Sequence, residues 1–305
     1  MVVVITHSDP DGVLSLATLL QYLGKAQKIR AYFTSPARLL DIICISVMSK
    51  EKILDNLYVL DFSGKRETIT ASAIYENAFW YDHHIWDLSD ADLKFENVKI
   101  FVDSGALSTV GVLAKFLNCT NEFEKYANEI DTNSVVSEEA ERIRDLVSAY
   151  RNKFSGIMLS SVLFALAKRL AESVDEIFNP VYDNIILNYK KWLSEAEKEI
   201  YAALKVYTKR NMKIGIVSLK EYLPIFHIFN LLGHHSEAPF DILVVTVLDK
   251  LNTYTKLEFR TYTDKDVLAL ARFFDGGGHR IASGASVKGR VTSEDILRAI
   301  KMLKL

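Results

Sequence analysis

The 305-residue sequence predicts an α/β protein: an N-terminal, mostly parallel sheet with helices on both faces, a linker helix, and a smaller α/β C-terminal domain. Three observations predict it. Short β-branched or aromatic runs alternate with segments whose apolar residues recur at three- and four-residue steps, the pattern of strands and helices laid down in turn. Several of those runs stop at Asp or His, at the end of the strand where open α/β sheets bind ligands. A strong break at Asn179-Pro180 then divides the chain.

Residues 2–5 read as a buried strand and 13–23 as a helix, with Val13, Leu16, Ala17, Leu19, Leu20 and Leu23 at its apolar positions. Between them lies His7-Ser8-Asp9-Pro10-Asp11-Gly12, which packs one imidazole and two carboxylates into five residues. One reading is a turn that caps a helix. The other is a site for a hard or borderline divalent cation such as Mn²⁺, which takes oxygen and imidazole donors. Residues 28–33 are a second strand, and 39–48 are apolar enough for a helix or a buried strand. A short strand over 57–60 ends at Asp61, after which Phe62-Ser63-Gly64 turns away. Strands over 78–81 and 99–102 end at Asp82-His83-His84 and at Asp103.

Residues 107–117 read as a helix with Ser104 or Ser108 as its N-cap, and a helix over 123–130 delivers Asp131. A long helical region without a clear internal boundary runs over 137–170, and 181–207 reads as a partly exposed helix with alternating charges at Glu195, Glu197, Lys198 and Glu199. The expected divisions are a domain over 1–180, a helical linker over 181–209 and a second domain over 210–305. That second domain has expected strands over 212–219, 240–248 and 255–262, and helices over 223–232, 265–274 and 293–303. Between the last two helices stands Gly276-Gly277-Gly278-His279, followed by Arg280 and Ala282-Ser283-Gly284.

Composition is that of an ordinary globular chain, 49% apolar and 25% charged. Cys44 and Cys119 form neither a metal pattern nor a disulfide framework, as expected in a reducing compartment. With no signal peptide and no apolar run of membrane-spanning length, the expectation is a soluble cytoplasmic protein. The net charge of −2 is uneven: residues 1–210 carry 24 Lys and Arg against 29 Asp and Glu, and residues 211–305 carry 13 against 10. The mildly basic second part suits an anionic substrate, but the imbalance is too small for tight binding to long nucleic acid.

His7, Asp9, Asp11, Asp61, Asp82, His83, His84 and Asp131 all fall at strand or helix ends. Singly, each has an ordinary role in a turn, a cap or a surface loop. Together, carboxylates gathered at one sheet edge would repel one another strongly. Two divalent cations would remove that repulsion and supply a hydrolytic mechanism.

The series His7-x-Asp9-x-Asp11, Asp61, Asp82-His83-His84 and Asp131 resembles the four motifs of the DHH phosphoesterase superfamily. The Gly276-Gly277-Gly278-His279 segment, with Ala282-Ser283-Gly284 after it, resembles the signature of the DHH-associated C-terminal domain. Members include RecJ exonucleases, nano-RNases that also act on 3′-phosphoadenosine 5′-phosphate, cyclic-dinucleotide phosphodiesterases and family II pyrophosphatases. The resemblance implies one Mn²⁺ on His7, Asp9 and Asp61, a second on Asp11, Asp61, His83 and Asp131, and Asp61 bridging, with Mg²⁺ or Co²⁺ as substitutes. It implies Asp82 orienting an imidazole, and His84 facing the scissile phosphate. His279 on its triglycine loop, Arg260, Arg280 and Ser108 would contact substrate.

The implied activity is hydrolysis of short single-stranded RNA or DNA to 5′-mononucleotides by a hydroxide bridging the two ions. Alternatives are a 3′-phosphoadenosine 5′-phosphate phosphatase, a cyclic-dinucleotide phosphodiesterase, or a RecJ-like replication-associated scaffold; a homodimer stays open. Glycines at 276–278 let a backbone approach a phosphate closely. A cleft between the domains that grips the end of a substrate is the expected geometry, with the connector as its hinge.

Overall fold

The computed structural model describes residues 1–47, 55–86, 88, 95–209, 211–220, 223–248 and 253–303; Met48, the last residue of the expected 39–48 segment, lies outside them. The chain divides into two compact units, Met1–Tyr189 and Lys190–Leu305. No helix among the described residues is long and apolar enough to cross a membrane.

The first unit is built on five strands, β1 (Val2–His7), β2 (Ile29–Thr34), β3 (Asn56–Leu60), β4 (Asn77–Asp82) and β5 (Val98–Val102). They pair in parallel throughout, in the order β2-β1-β3-β4-β5. Parallel strands are covered on both faces, so their sequences are continuously apolar instead of alternating with polar residues. Side chains still divide by parity. Val2 and Val4 of β1, with Tyr58 and Leu60 of β3, face a core supplied by α1 (Pro10–Leu23), α4 (Thr109–Leu117), α5 (Phe123–Asp131), α6 (Glu138–Lys153) and α7 (Gly156–Glu172). Val3 and Ile5, with Leu57, Val59 and Trp80, face the opposite layer, which contains α2 (Leu39–Val47) and α3 (Arg66–Ser72). Val3, Val4 and Ile5 are wholly buried, and each such side chain contributes about 1.5–3 kcal/mol relative to exposure.

One helix expectation is corrected here, and one left open is decided. The segment over 137–170 is two helices, not one: Phe154 and Ser155 are extended, and Gly156 takes φ +56°, which ends one helix and re-aims the next. Residues 39–47 resolve as helix, and α3 follows the Phe62-Ser63-Gly64 turn, its start tied by the Thr68 hydroxyl to Lys65.

A last helix, α8 (Pro180–Ala203), gives Ile186 to the first core and Ile200 to a core of the second unit. The expected helix over 181–207 therefore stops early, and β6 (Leu204–Lys209) follows directly. Leu204, Val206 and Thr208 alternate with Lys205, Tyr207 and Lys209, and antiparallel pairing with β7 (Met212–Leu219) claims this segment for the sheet. The six strands run in the order β10-β11-β9-β8-β7-β6, where β8 is Ile242–Leu248, β9 Tyr254–Arg260, β10 Gly277–Gly278 and β11 Ala282–Lys288. Only β7 and β8 pair in parallel. One face packs on α9 (Ile225–Gly233), and the other on α10 (Val267–Phe273) and α11 (Ser293–Met302). Strand β11 was not foreseen, because Ala-Ser-Gly-Ala-Ser-Val-Lys has little strand propensity. It forms through its full-length register with β9, Ala282 opposite Arg260 through Lys288 opposite Tyr254.

Candidate metal centre

Strand β1 lies between β2 and β3, so connections leave it and its neighbour toward opposite faces, and a crevice opens at their carboxyl ends. His7 is the last residue of β1. Asp9 is the N-cap of α1, accepting from the Gly12 N–H at 3.0 Å, with Pro10 in the first helical turn. The turn is too tight for any side chain at Gly12, whose Cβ would stand 2.2 Å from the His7 carbonyl oxygen. Thr6 closes it by donating its hydroxyl to the Gly12 carbonyl at 2.8 Å. Asp11, one position on, is thereby carried into the first turn of α1 and buried.

The Asp11 carboxylate also meets the start of a second helix. It accepts from the Thr109 and Val110 N–H groups at 2.7 and 3.4 Å, where α4 presents unpaired donors and the positive end of its dipole. Ser108 caps that helix, accepting from Gly111 N–H and donating to Asn128 Oδ1 at 2.6 Å. This residue, expected at the substrate, is wholly buried, and its hydroxyl is committed inside the protein. The Thr109 hydroxyl next to it donates to Asp61 Oδ1 at 3.1 Å, so one residue holds two of the site carboxylates.

Asp61 is the hub. It directly follows β3 and takes φ +61°, a conformation that Asp tolerates better than most residues, with its N–H bonded to the Tyr81 carbonyl at 3.0 Å. That backbone turn brings one oxygen 3.5 Å from His7 Nδ1, and the other 3.7 Å from His83 Nε2 and 3.9 Å from His84 Nδ1. His7 Nδ1 also meets Asp9 Oδ2 at 2.5 Å. His83 lies 3.2 Å from Asp131, the final residue of α5, and 3.9 Å from Asp11. Asp82 ends β4 wholly buried, accepting from His84 Nδ1 at 2.7 Å and from Trp86 Nε1 at 2.6 Å. All eight residues expected from strand and helix ends in the first unit are thus gathered at one place.

The charges strain against one another. Burial raises the Asp11 carboxyl well above its ordinary range, and the charges of Asp61 and Asp9 raise it further, against the pull of the α4 N–H groups. Asp131 rises for the same reasons, burial first and then Asp11 and Asp61. Burial alone would lower His7, but the charges of Asp9 and Asp61 raise it to about 10. Its partner Asp9 is held well below the usual carboxylate range: burial opposes this, and the His7 charge and hydrogen bond outweigh it. His84 is raised to about 9, burial being overcome by Asp82 and Asp61, while burial and the neighbouring His84 charge push His83 down.

This donor set fits divalent cations. His7, Asp9 and Asp61 form one group with ligand atoms mutually within 4.8 Å; Asp11, His83 and Asp131 form a second, and Asp61, His83 and His84 a third. Four carboxylates outside the His84–Asp82 pair carry a charge that two such cations would balance. The donors are oxygen and imidazole with no thiolate, the chemistry of Mn²⁺ and its neighbours.

Residues of the second unit stand as follows. Gly276 and Gly278 are glycine because β11 lies against them: a Cβ would meet the Gly284 carbonyl oxygen at 2.1 Å and the Ser283 Cα at 2.6 Å, and Gly278 takes φ +130°. Gly277 has open space. The loop is closed by His279 N–H donating to the Ala282 carbonyl at 2.7 Å. Arg280 donates to the Asp264 carbonyl at 2.8 Å. Arg260 ends β9 with its guanidinium over the Phe229 ring, 5.2 Å from the centroid, and a buried Nε that has no hydrogen-bond partner among the described residues. Missed from sequence was the contact of Trp86 with Asp82; the signal was a polar-tipped aromatic two residues after the His pair.

A doubly wound sheet that gathers carboxylates and imidazoles around a cation-sized space is the framework of a metal-dependent hydrolase. The model of the DHH family, N-terminal domain, matches residues 1–140. Residues 1–140 accordingly carry a DHH-family N-terminal domain. In structure it is similar to the pGpG-specific phosphodiesterase PggH from Vibrio cholerae, at 18% identity and TM-score 0.59 over 99% of this chain and 97% of that one. CDC45 from Entamoeba histolytica is similar at 8% identity and TM-score 0.51, over 99% and 94%. No curated protein matches the chain in sequence.

Proposed function

We propose that the chain is a Mn²⁺-dependent phosphodiesterase that hydrolyses short single-stranded oligonucleotides from one end, down to linear dinucleotides, releasing 5′-mononucleotides. The observation that carries this reading is the overlap of three donor groups on two shared residues, Asp61 and His83. His7, Asp9 and Asp61 would hold one ion, and Asp11, Asp61, His83 and Asp131 the other. When bound, such a pair lowers the pKa of a shared water and offsets charge on the phosphoryl oxygens.

The chain's own groups do the rest. Thr109 fixes Asp11 and Asp61 relative to each other through its N–H and its hydroxyl. With Nδ1 of His84 committed to Asp82, its other ring nitrogen, Nε2, is the one that would meet a phosphoryl oxygen. Gly276, Gly277, Gly278, His279, Arg260 and Arg280 supply the cationic and backbone groups for substrate phosphates. The likeness to PggH, a pGpG-specific phosphodiesterase similar over nearly the whole of both chains, supports a dinucleotide as the smallest substrate.

The test is a panel of end-labelled di- to 24-mers, 3′-phosphoadenosine 5′-phosphate and cyclic dinucleotides, each incubated with Mn²⁺ or EDTA. The reading expects the fastest turnover on the shortest linear oligomers, 5′-mononucleotide products, and loss in EDTA reversed by Mn²⁺. Turnover that persists in EDTA, or confined to the adenosine bisphosphate or a cyclic dinucleotide, would overturn it.

A further inference from the structure

We propose that Trp86 is a positioning residue of the reaction: acting through Asp82, its indole N–H holds the His84 imidazole in its working orientation. The proposal rests on the reading of this centre as hydrolytic. The Asp82 carboxylate is wholly buried and, among the described residues, has one donor on each oxygen. His84 Nδ1 is 2.7 Å from Oδ1, and Trp86 Nε1 is 2.6 Å from Oδ2. A carboxylate held at both oxygens cannot turn about its Cβ–Cγ bond without breaking a charge-assisted hydrogen bond, so the plane of the His84 contact is fixed from the Trp86 side. His84 itself has a side chain 37% exposed, with the His83 ring 4.4 Å from its own, and the bond from Nδ1 to Asp82 sets the orientation of the ring.

The indole is in turn placed by groups with no part in the chemistry. Trp86 meets Trp80 edge to face, with centroids 5.6 Å apart and planes at 83°. Trp80 is wholly buried, its own N–H donating to Ser72 Oγ at 3.2 Å. On the other flank lies Gly64, where a Cβ would stand 2.5 Å from Trp86 Cζ3 and 2.7 Å from Cη2. Gly64 does not take a positive φ, so the space needed by the indole, not backbone conformation, calls for glycine there. A ring that served only to fill this side of the core would need no N–H, and phenylalanine would do. Instead the polar edge of the ring is set on a buried carboxylate that orients a histidine of the centre.

Three variants test this in the full chain with Mn²⁺ added: Trp86→Phe, Gly64→Ala and His84→Ala, with the Trp86→Phe/His84→Ala pair. Each is followed by kcat and KM on a short oligonucleotide, bound metal per chain and, in protein loaded with diamagnetic Mg²⁺ instead, the low-field resonance of the His84 Nδ1 proton. Trp86→Phe is expected to lower kcat about 10- to 100-fold, the range for residues that orient a ligand from behind, with KM and bound metal near the wild-type values and the Nδ1 resonance shifted or broadened. Gly64→Ala displaces the indole without touching a hydrogen-bonding atom and should lower kcat in the same direction, which keeps the test open if Trp86→Phe folds poorly. In the His84→Ala background, Trp86→Phe should cost nothing further, because a positioning residue has nothing left to position. Wild-type kcat in Trp86→Phe, or the same fold-loss with and without His84, would overturn the proposal while leaving the hydrolytic reading intact. Wild-type kcat in His84→Ala would remove the role of His84, and this proposal with it.

Discussion

Replacing Asp61 by Asn is the sharpest test of the metal centre. Asn tolerates the positive φ that residue 61 requires, and its amide oxygen can still accept from the Thr109 hydroxyl, so the fold should stay intact. What is lost is the negative charge within 3.5 Å of His7 on one side and 3.7 Å of His83 on the other, and hence a donor to both cation sites. If wild-type protein is measured at a free Mn²⁺ concentration about 100 times each dissociation constant, each ion stabilises the fold by about 2.7 kcal/mol, or roughly 5 kcal/mol for two. For a unit the size of Met1–Tyr189 that is an upward shift in Tm of about 10–20 °C. Loss of about 100-fold in affinity at both sites leaves about 0.4 kcal/mol per ion and a shift of only roughly 1–3 °C. Asp9→Asn, which touches only the His7 group, should retain about half of the wild-type shift. Thermal unfolding with and without MnCl2, together with bound metal per chain after dialysis, checks the series. A wild-type Mn²⁺ shift and stoichiometry in Asp61→Asn would refute the claim that this carboxylate is shared.

Other outcomes follow from the same geometry. Metal loading at pH 8 should release protons, because His7, raised to about 10, must give its proton up to bind a cation; titration calorimetry in buffers of different ionisation enthalpy measures the number, and none released would contradict the assignment. The sign for the metal-free protein is opposite to that for the loaded one. Since the folded pKa of His7 lies above its unfolded value near 6.5, its contribution to stability is full below pH 6.5 and is lost as pH rises through about 10, whereas Mn²⁺ affinity should rise over that window. In the second unit, Gly276→Ala forces a Cβ onto the backbone of β11 and should cost about 1–3 kcal/mol, but Gly277→Ala meets nothing within 4 Å and should leave the Tm unchanged. Any loss of turnover in Gly277→Ala then reports on substrate contact alone; equal Tm losses in the two variants would contradict the packing described.

What could be read from the sequence was whatever is local or periodic. Continuous apolar runs, β-branched in β1 and aromatic in β4, marked β1, β3 and β4, because a strand buried on both faces has no polar side to conceal it, and Asp or His at each strand end marked the edge where ligands bind. Misreadings occurred where tertiary pairing outranked local preference. Leu204–Lys209 continues a helical pattern until β7 offers it an edge, and Ala282–Lys288 is too small and polar to announce a strand that register with β9 creates.

The sequence by itself determined which residue types meet at the metal centre and in what order, since their chemistry and their places at element ends are written one residue at a time. Only the tertiary structure decided how they share the work. It put Asp61 at the hub through a positive φ, gave Asp11 to the start of α4 and set the Trp86 indole on Asp82. The physical reason is that each of these is a contact between side chains or backbone groups brought together by the sheet order and the packing of helices upon it. No period or motif in the chain records such distances.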